Sequence, residues 1–489
     1  MQMTDQITIS VWVFILLVVV TGVSVLDRIF IPSVRWFLRR RIDRVIDEIS
    51  TRLDITIKPF QLTKRQVLID RLVYDGRVIN AVQEYSKANN VPREVIQNKV
   101  LGYAREIVPS FNAYIYFRIG YWLAKKVARL LYRVKVDFID ESSINATDPN
   151  ATVVFVMNHR SNMDYILVSF LAAERTALSY AVGEWARIWP LQTLIKSLGA
   201  FFVRRKSGNP LYRLVLERYI HMATKEGVCQ AVFPEGGLSR NGKLQPPRMG
   251  LIDYMLRSFN PKTDRDIVFI PVGINYDRTL EDRTLLRSLD PLAEKRSRWF
   301  VIKTTIGFVW HNLSLMARSR WQRFGFACVN FGPAFSMKEY CRLNQVNFHL
   351  LEKDLRFVEV ERVCNRLMYI ICHIIPVIPI PLVATVFLNA PASSFSSLDV
   401  KANVRLLIDH LASYGVKVNI PEKDRETAIE NALQMLRTRK MVIEKENKFQ
   451  MNPNMQDILS YYANALSFWF EQTTADGGRK GMRAFDVSR

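Results

Sequence analysis

Between residues 151 and 276 the chain alternates short apolar runs (VVFVM, GAFFV, AVFP, IVFIPV) with longer stretches whose apolar positions recur at helical spacing (YILVSFLAAE, LYRLVLERYIHMATKE, LIDYMLRSF). Short runs rich in Val and Phe read as strands buried on both faces, so the alternation predicts an α/β domain with a largely parallel sheet flanked by helices. Upstream, residues 62–90 and 92–108 carry helical spacing interrupted at Asn89-Asn90 and Pro92, which predicts a helical region with no chemistry of its own. Residues 111–136, FNAYIYFRIGYWLAKKVARLLYRVKV, read as a helix that is aromatic at one end and basic at the other. Such a helix fits the headgroup layer of an anionic phospholipid membrane, and equally a core-packed helix with a solvated basic face.

Two apolar stretches bear on membranes. Residues 7–26, ITISVWVFILLVVVTGVSVL, hold no charge and have the length of a bilayer span, and Arg28, Arg35 and Arg39 to Arg41 follow them. The positive flank predicts an uncleaved transmembrane helix with the rest of the chain in the cytoplasm. Residues 369–391 are also apolar, but Pro376, Pro379 and Pro381 interrupt them, which favours a core or interfacial segment over a lipid-exposed helix. After 391 the chain is polar and helix-prone and closes with the flexible-looking TTADGGRKGMRAFDVSR. The expected organisation is an anchor over 1–30, a helical region with a basic membrane-surface segment over 31–130, the α/β domain over 131–390, and a helical C-terminal region over 391–489.

Composition narrows the partners. The chain has 489 residues with 68 Lys+Arg against 46 Asp+Glu, a net charge of +22, so anionic partners are favoured: acidic lipid, phosphate-bearing substrates or acidic carriers. No nucleic-acid reader motif is present, which argues against that class of partner. The five cysteines, Cys229, Cys328, Cys341, Cys364 and Cys372, have no paired-ligand spacing, so buried free thiols and no metal site are expected.

Candidate chemistry falls at the strand ends. His159 lies in the turn between the strand-like run 152–156 and the helix that begins near Asp164. Five helical steps rotate a side chain by about 140°, so the two can meet only if His159 precedes the helix. Asn158, Ser161 and Asn162 suit the closing of that turn. An imidazole held by a carboxylate at one nitrogen has a fixed tautomer and raised basicity, which suits a general base acting on an alcohol. Arg204 and Arg205 end the next run; their planar forks suit a phosphomonoester. Glu235 and Gly236 follow a strand and a proline, where a carboxylate can hold an acceptor hydroxyl and a glycine lets backbone approach a ligand.

The blocks NHRSNMD (158–164), GAFFVRR (199–205), FPEGGLSRNGKL (233–244) and VFIPVGINYD (268–277), in this order, resemble the glycerolipid acyltransferase family. They are closer to its bacterial membrane-bound glycerol-3-phosphate acyltransferase branch than to its lysophosphatidate branch, and the resemblance covers roughly residues 130 to 390. It implies acyl transfer from acyl-CoA or acyl carrier protein to the sn-1 hydroxyl of glycerol 3-phosphate, the opening step of phospholipid synthesis, at a cytoplasmic face of the inner membrane and with no further cofactor. In this scheme His159 and Asp164 are catalytic, while Arg204, Arg205, Glu235 and Gly236 bind the acceptor. Where relatives tend to have arginine after the two glycines this chain has Leu238, which leaves Arg240 as the substitute phosphate contact. Pro271 is expected to shape a strand end and the acyl-donor pocket. Backbone amides at the start of the helix after His159 are the natural candidates for an oxyanion site. Two other functions fit the same residues: a lysophosphatidate or other lysolipid acyltransferase, and a membrane-tethered anionic-lipid binding protein in which His159 and Asp164 are merely structural.

Overall fold

The computed structural model describes residues 59–172, 177–183, 191–204, 207–290, 307 and 323–471. The expected anchor at 7–26, Arg205 and the expected tail at 473–489 lie outside the described residues.

Its centre is a mostly parallel eight-stranded sheet, β1 to β8: Arg133–Phe138, Thr152–Met157, Ser179–Gly183, Phe201–Val203, Gln230–Val232, Ile267–Tyr276, Phe326–Phe331 and Phe335–Ser336. The order is β1-β7-β6-β2-β5-β3-β4, with β8 on β6. The pairs β2·β5, β2·β6, β3·β5, β3·β4 and β1·β7 are parallel, and only the contacts of β6 with β7 and β8 are antiparallel. The C-terminal ends of β2, β5, β3 and β4 therefore open on one edge of the sheet, where ligand-binding turns of such folds gather.

Alternate residues of β2 face opposite layers. Val154 and Val156 join a core with helices α1 (Arg65–Val73), α2 (Gly76–Asn89), α3 (Arg93–Ile107), α6 (Pro210–Lys225), α7 (Gly250–Leu256) and α8 (Lys353–Ile374). Met157, with Val153 and Phe155 against it, joins a core under α4 (Tyr121–Leu131) and α5 (Met163–Ala172). The helical region expected before the sheet is thus a packed layer of it. A third core holds the C-terminal part: α9 (Pro379–Asn389), α10 (Ser397–Ser413), α11 (Arg425–Thr438) and α12 (Gln456–Ala463).

Three expectations change. Residues 133–138 form an edge strand and do not continue the helical residues Ile115–Gly120 and Tyr121–Leu131 before them, because RVKVDF alternates with the period of two that pairs it to Phe326–Phe331. Ser179–Gly183 is a further parallel strand that the sequence left unassigned. The C-terminal region also carries a hairpin, Val442–Lys445 with Lys448–Met451, turned by Glu446 and Asn447 at φ of 49° and 59° as a two-residue turn requires. The proline-broken run at 369–391 is mostly buried core: α8 ends at Ile374, Pro379 starts α9, and Pro379 to Phe387 are all buried, while Tyr369 and Asn389 are exposed. Among the described residues no helix is long and apolar enough to cross a membrane.

Candidate active site

The turn after β2 is folded around one carboxylate. Asp164 Oδ2 lies 2.9 Å from His159 Nδ1 and accepts the backbone amides of Arg160 and Ser161 at 2.7 and 3.0 Å. Its other oxygen, Oδ1, accepts the Tyr276 hydroxyl at 2.7 Å. Tyr276 stands at the end of β6, and burial, followed by the neighbouring Asp164 charge, raises its phenol well above the ordinary range. The Asn158 amide exchanges hydrogen bonds with both backbone groups of Ile274, at 2.9 and 2.7 Å, and so stitches the turn to β6 as a ladder residue would. Ser161 and Asn162 are tied from outside by Glu281: the Ser161 hydroxyl donates at 2.7 Å, and the amide and side chain of Asn162 donate at 3.2 and 3.0 Å. All of these side chains are buried or nearly so, and in a medium of low dielectric such satisfied networks hold one arrangement.

The backbone amides proposed for the oxyanion are therefore engaged. Arg160 and Ser161 donate to Asp164, Asn162 to Glu281, and Met163 to the Ser161 hydroxyl at 3.1 Å. That expectation is corrected: these amides build the turn and are not free for a substrate oxygen.

Glu235 follows β5 and lies 5% exposed beneath the same turn. It accepts the His159 amide at 2.7 Å with one oxygen and the Gln245 amide at 2.8 Å with the other. Burial pushes its carboxyl up to about 7 in spite of those two donors. Glu235 thus holds the backbone of the turn that carries His159. Gly236, at φ +67°, leaves room for Arg248, whose Cδ would stand 2.5 Å from an added Cβ.

His159 lines a cavity of about 260 Å³ together with Tyr165, Val203, Arg204, Arg213, Phe233, Gly236, Arg248 and Tyr254. Phe233 stacks on the imidazole at 4.1 Å. Since Nδ1 is given to Asp164, Nε2 is the basic nitrogen of a ring that forms part of the cavity wall. Three guanidinium groups share that wall. Arg204 is held side-on by Glu106, and Arg213 Nε donates to the Ser207 carbonyl at 2.8 Å. The guanidinium of Arg248 makes no hydrogen bond among the described residues. The arrangement can bind a small phosphate-bearing alcohol beside a histidine base.

His159, Arg204 and Gly236 are brought together at this cavity, and Asp164 and Glu235 support it from behind. Arg240 is exposed and lines neither this cavity nor the second one, described below, whereas Arg213 and Arg248 line this one. Pro271 does not mark a strand end: it lies inside β6, paired with Val156, and lines neither cavity. It falls where β6 changes antiparallel partner from β8 to β7, a place where a missing N–H is tolerated. A second cavity of about 290 Å³ is lined by Asn158 and Glu235, by Met368 and Cys372 of α8 with Ile375 just after it, and by Phe468. All five cysteines are buried, and none is in a disulfide among the described residues.

Residues 135–275 match the family model described as Acyltransferase, and residues 309–471 match the model described as Glycerol-3-phosphate acyltransferase C-terminal region. The chain is 30% identical over 394 residues to a glycerol-3-phosphate acyltransferase of Pseudomonas entomophila (strain L48), covering 76% of this chain and 45% of the relative. It is 28% identical over 419 residues to a protein of the same name from Pseudomonas syringae pv. syringae (strain B728a), covering 82% and 48%. The chain spans about half the length of the curated relatives it matches. The crystal structure of a 1-acyl-sn-glycerophosphate (LPA) acyltransferase from Thermotoga maritima aligns with 52% of this chain and 78% of that one at 18% identity, with a TM-score of 0.30, too loose to carry an argument. The resemblance found in the four sequence blocks is thus met by both family models and by the relatives.

Proposed function

We propose that this chain, matched in tandem by an acyltransferase model and a glycerol-3-phosphate acyltransferase C-terminal model, moves a fatty acyl group from acyl-CoA or acyl carrier protein to the sn-1 hydroxyl of glycerol 3-phosphate. The observation that carries this reading is one cavity wall holding an Asp-paired histidine and three arginines. Guanidinium groups grip the phosphate, which leaves the far hydroxyl of a three-carbon acceptor near His159. Nε2 takes the hydroxyl proton as the oxygen attacks the thioester carbonyl. The tetrahedral intermediate then expels the thiolate, which recovers the proton from the imidazolium, and the product is 1-acyl-glycerol 3-phosphate. No acyl-enzyme forms, so initial-rate kinetics are sequential and not ping-pong.

The membrane reading also belongs here. The anchor over 7–26 would fix the domain at the cytoplasmic face of the inner membrane. The outer face of α4 and the turns before it supports lipid contact: Ile119, Trp122, Leu123 and Leu130 are exposed, and Lys126 stands 5.0 Å over the Trp122 ring. The deciding experiment incubates membranes containing the chain with labelled glycerol 3-phosphate and either acyl donor, with lysophosphatidate as a parallel acceptor. Labelled lysophosphatidate supports the reading; acylation of lysophosphatidate alone overturns it in favour of the other acceptor.

A further inference from the structure

The carboxylate of Glu106 sits where helix electrostatics oppose it. It occupies the last turn of α3, whose exposed carbonyls carry partial negative charge and favour a cation. Cations do meet the neighbouring carbonyls: Arg65 donates to those of Val108 and Arg105, and Lys196 Nζ donates to that of Arg105 at 3.1 Å. Glu106, with its side chain only 9% exposed, instead directs both oxygens at Arg204, 2.9 Å from Nε and 2.6 Å from Nη2. Aromatic rings complete the hold on that guanidinium, with Tyr103 at 5.4 Å and Tyr212 at 5.0 Å. The Tyr212 hydroxyl also accepts the Arg204 amide at 3.0 Å. This use of the side-on edge leaves the end-on pair of N–H groups, one on each terminal nitrogen, as a second fork.

We infer that Glu106 is a positioning residue for phosphate recognition: through Arg204 it aims the remaining guanidinium fork at the phosphate of the acceptor in the cavity shared with His159. The inference rests on the function proposed above. It gives the N-terminal helical layer, which touches no substrate, a part in substrate affinity. A helix whose carboxylate locks a guanidinium before the ligand arrives removes the ordering that a free arginine would undergo on binding.

The test compares initial rates of the full chain in membranes over a range of glycerol 3-phosphate for the native protein, Glu106→Gln, Arg204→Ala and the double variant. Glu106→Gln keeps the side-chain shape, and a retained kcat itself reports a folded centre. The expected result is a KM for glycerol 3-phosphate raised on the order of 10-fold in Glu106→Gln. The kcat and the acyl-donor KM stay unchanged, and Glu106→Gln has no further effect in the Arg204→Ala background. An Arg204→Ala chain with raised KM beside a Glu106→Gln chain with native KM overturns the inference and leaves the proposed function standing. A KM that falls in Glu106→Gln overturns it too, since the carboxylate then competes with the phosphate. If Arg204→Ala itself leaves the KM native, the phosphate reading of Arg204 fails and the inference fails with it.

Discussion

At the residue scale the turn after β2 concentrates the consequences. His159→Ala removes the base, and acyl transfer in washed membranes should fall by roughly 100- to 10,000-fold with the protein level unchanged. Tyr276→Phe removes one donor from Asp164 and keeps the ring. Asp164 is then held less firmly behind the imidazole, so kcat/KM should fall on the order of 10-fold with the protein level unchanged, measured as initial rates in membranes. Glu235 gives a stability signature. Its folded value, raised to about 7, exceeds that of an ordinary glutamate, so the folded state keeps its proton longer than the unfolded chain. The stability it contributes is complete in acid, below the usual glutamate range, and is lost as pH rises through about 7. Glu235→Gln should flatten that part of a melting-temperature profile relative to the native chain. A difference profile isolates it from Asp277, also pushed up to about 6 by burial.

The same scale explains what could be read beforehand. His159 and Asp164 were legible because the strand, the turn and the helix start are contiguous. Tyr276 lies in the block VFIPVGINYD, of which only Pro271 stood out; nothing local marks a tyrosine at a strand end as the partner of an acid on another element. Arg248 was hidden in a loop after two prolines, where a basic residue is ordinary surface chemistry. Glu106 could not be found at all, because its meaning comes from an arginine brought to it by tertiary packing.

At the element scale, strands and helices with strong internal periodicity emerged in place, such as α6 over Pro210–Lys225. The misread element was short: six residues of β1 next to a basic helix, with too few positions for an alternating pattern to outweigh the helical one before it. β6 leaves no room for a side chain where it passes the end of α8. A Cβ on Gly273 would stand 2.4 Å from the Ile374 carbonyl oxygen, at the end of α8. Backbone on both sides cannot yield as a side chain would, so Gly273→Ala should destabilise the fold by at least about 2 kcal/mol, measured by denaturant unfolding.

At the scale of the whole molecule, the charge of +22 and the exposed apolar face of α4 bear on how the protein meets its surroundings. Trp122→Ser with Lys126→Glu should weaken co-sedimentation with vesicles containing anionic phospholipid and reduce its dependence on salt, while soluble short-chain acyl donors are still used. Equal binding by both chains at every salt concentration would remove the surface-contact reading. The C-terminal region is no detachable appendage. The Tyr462 hydroxyl reaches Asp282 and the Thr279 amide, and Asn464 donates to the Asn241 carbonyl at 2.8 Å.

That junction is closest at Gly242, whose φ of +83° and lack of a side chain let the loop after Glu235 press against the carbonyl of Tyr461, 1.9 Å from where a Cβ would stand. During synthesis, the segment bearing His159 leaves the ribosome some 300 residues ahead of the one that braces this loop, since the Tyr461 hydroxyl faces the Arg160 carbonyl across a separation of 301 positions. A nascent chain stalled before α12 therefore carries His159, Asp164 and the arginines of the cavity yet lacks the clamp behind their turn, and under the proposed function competence arrives late in translation.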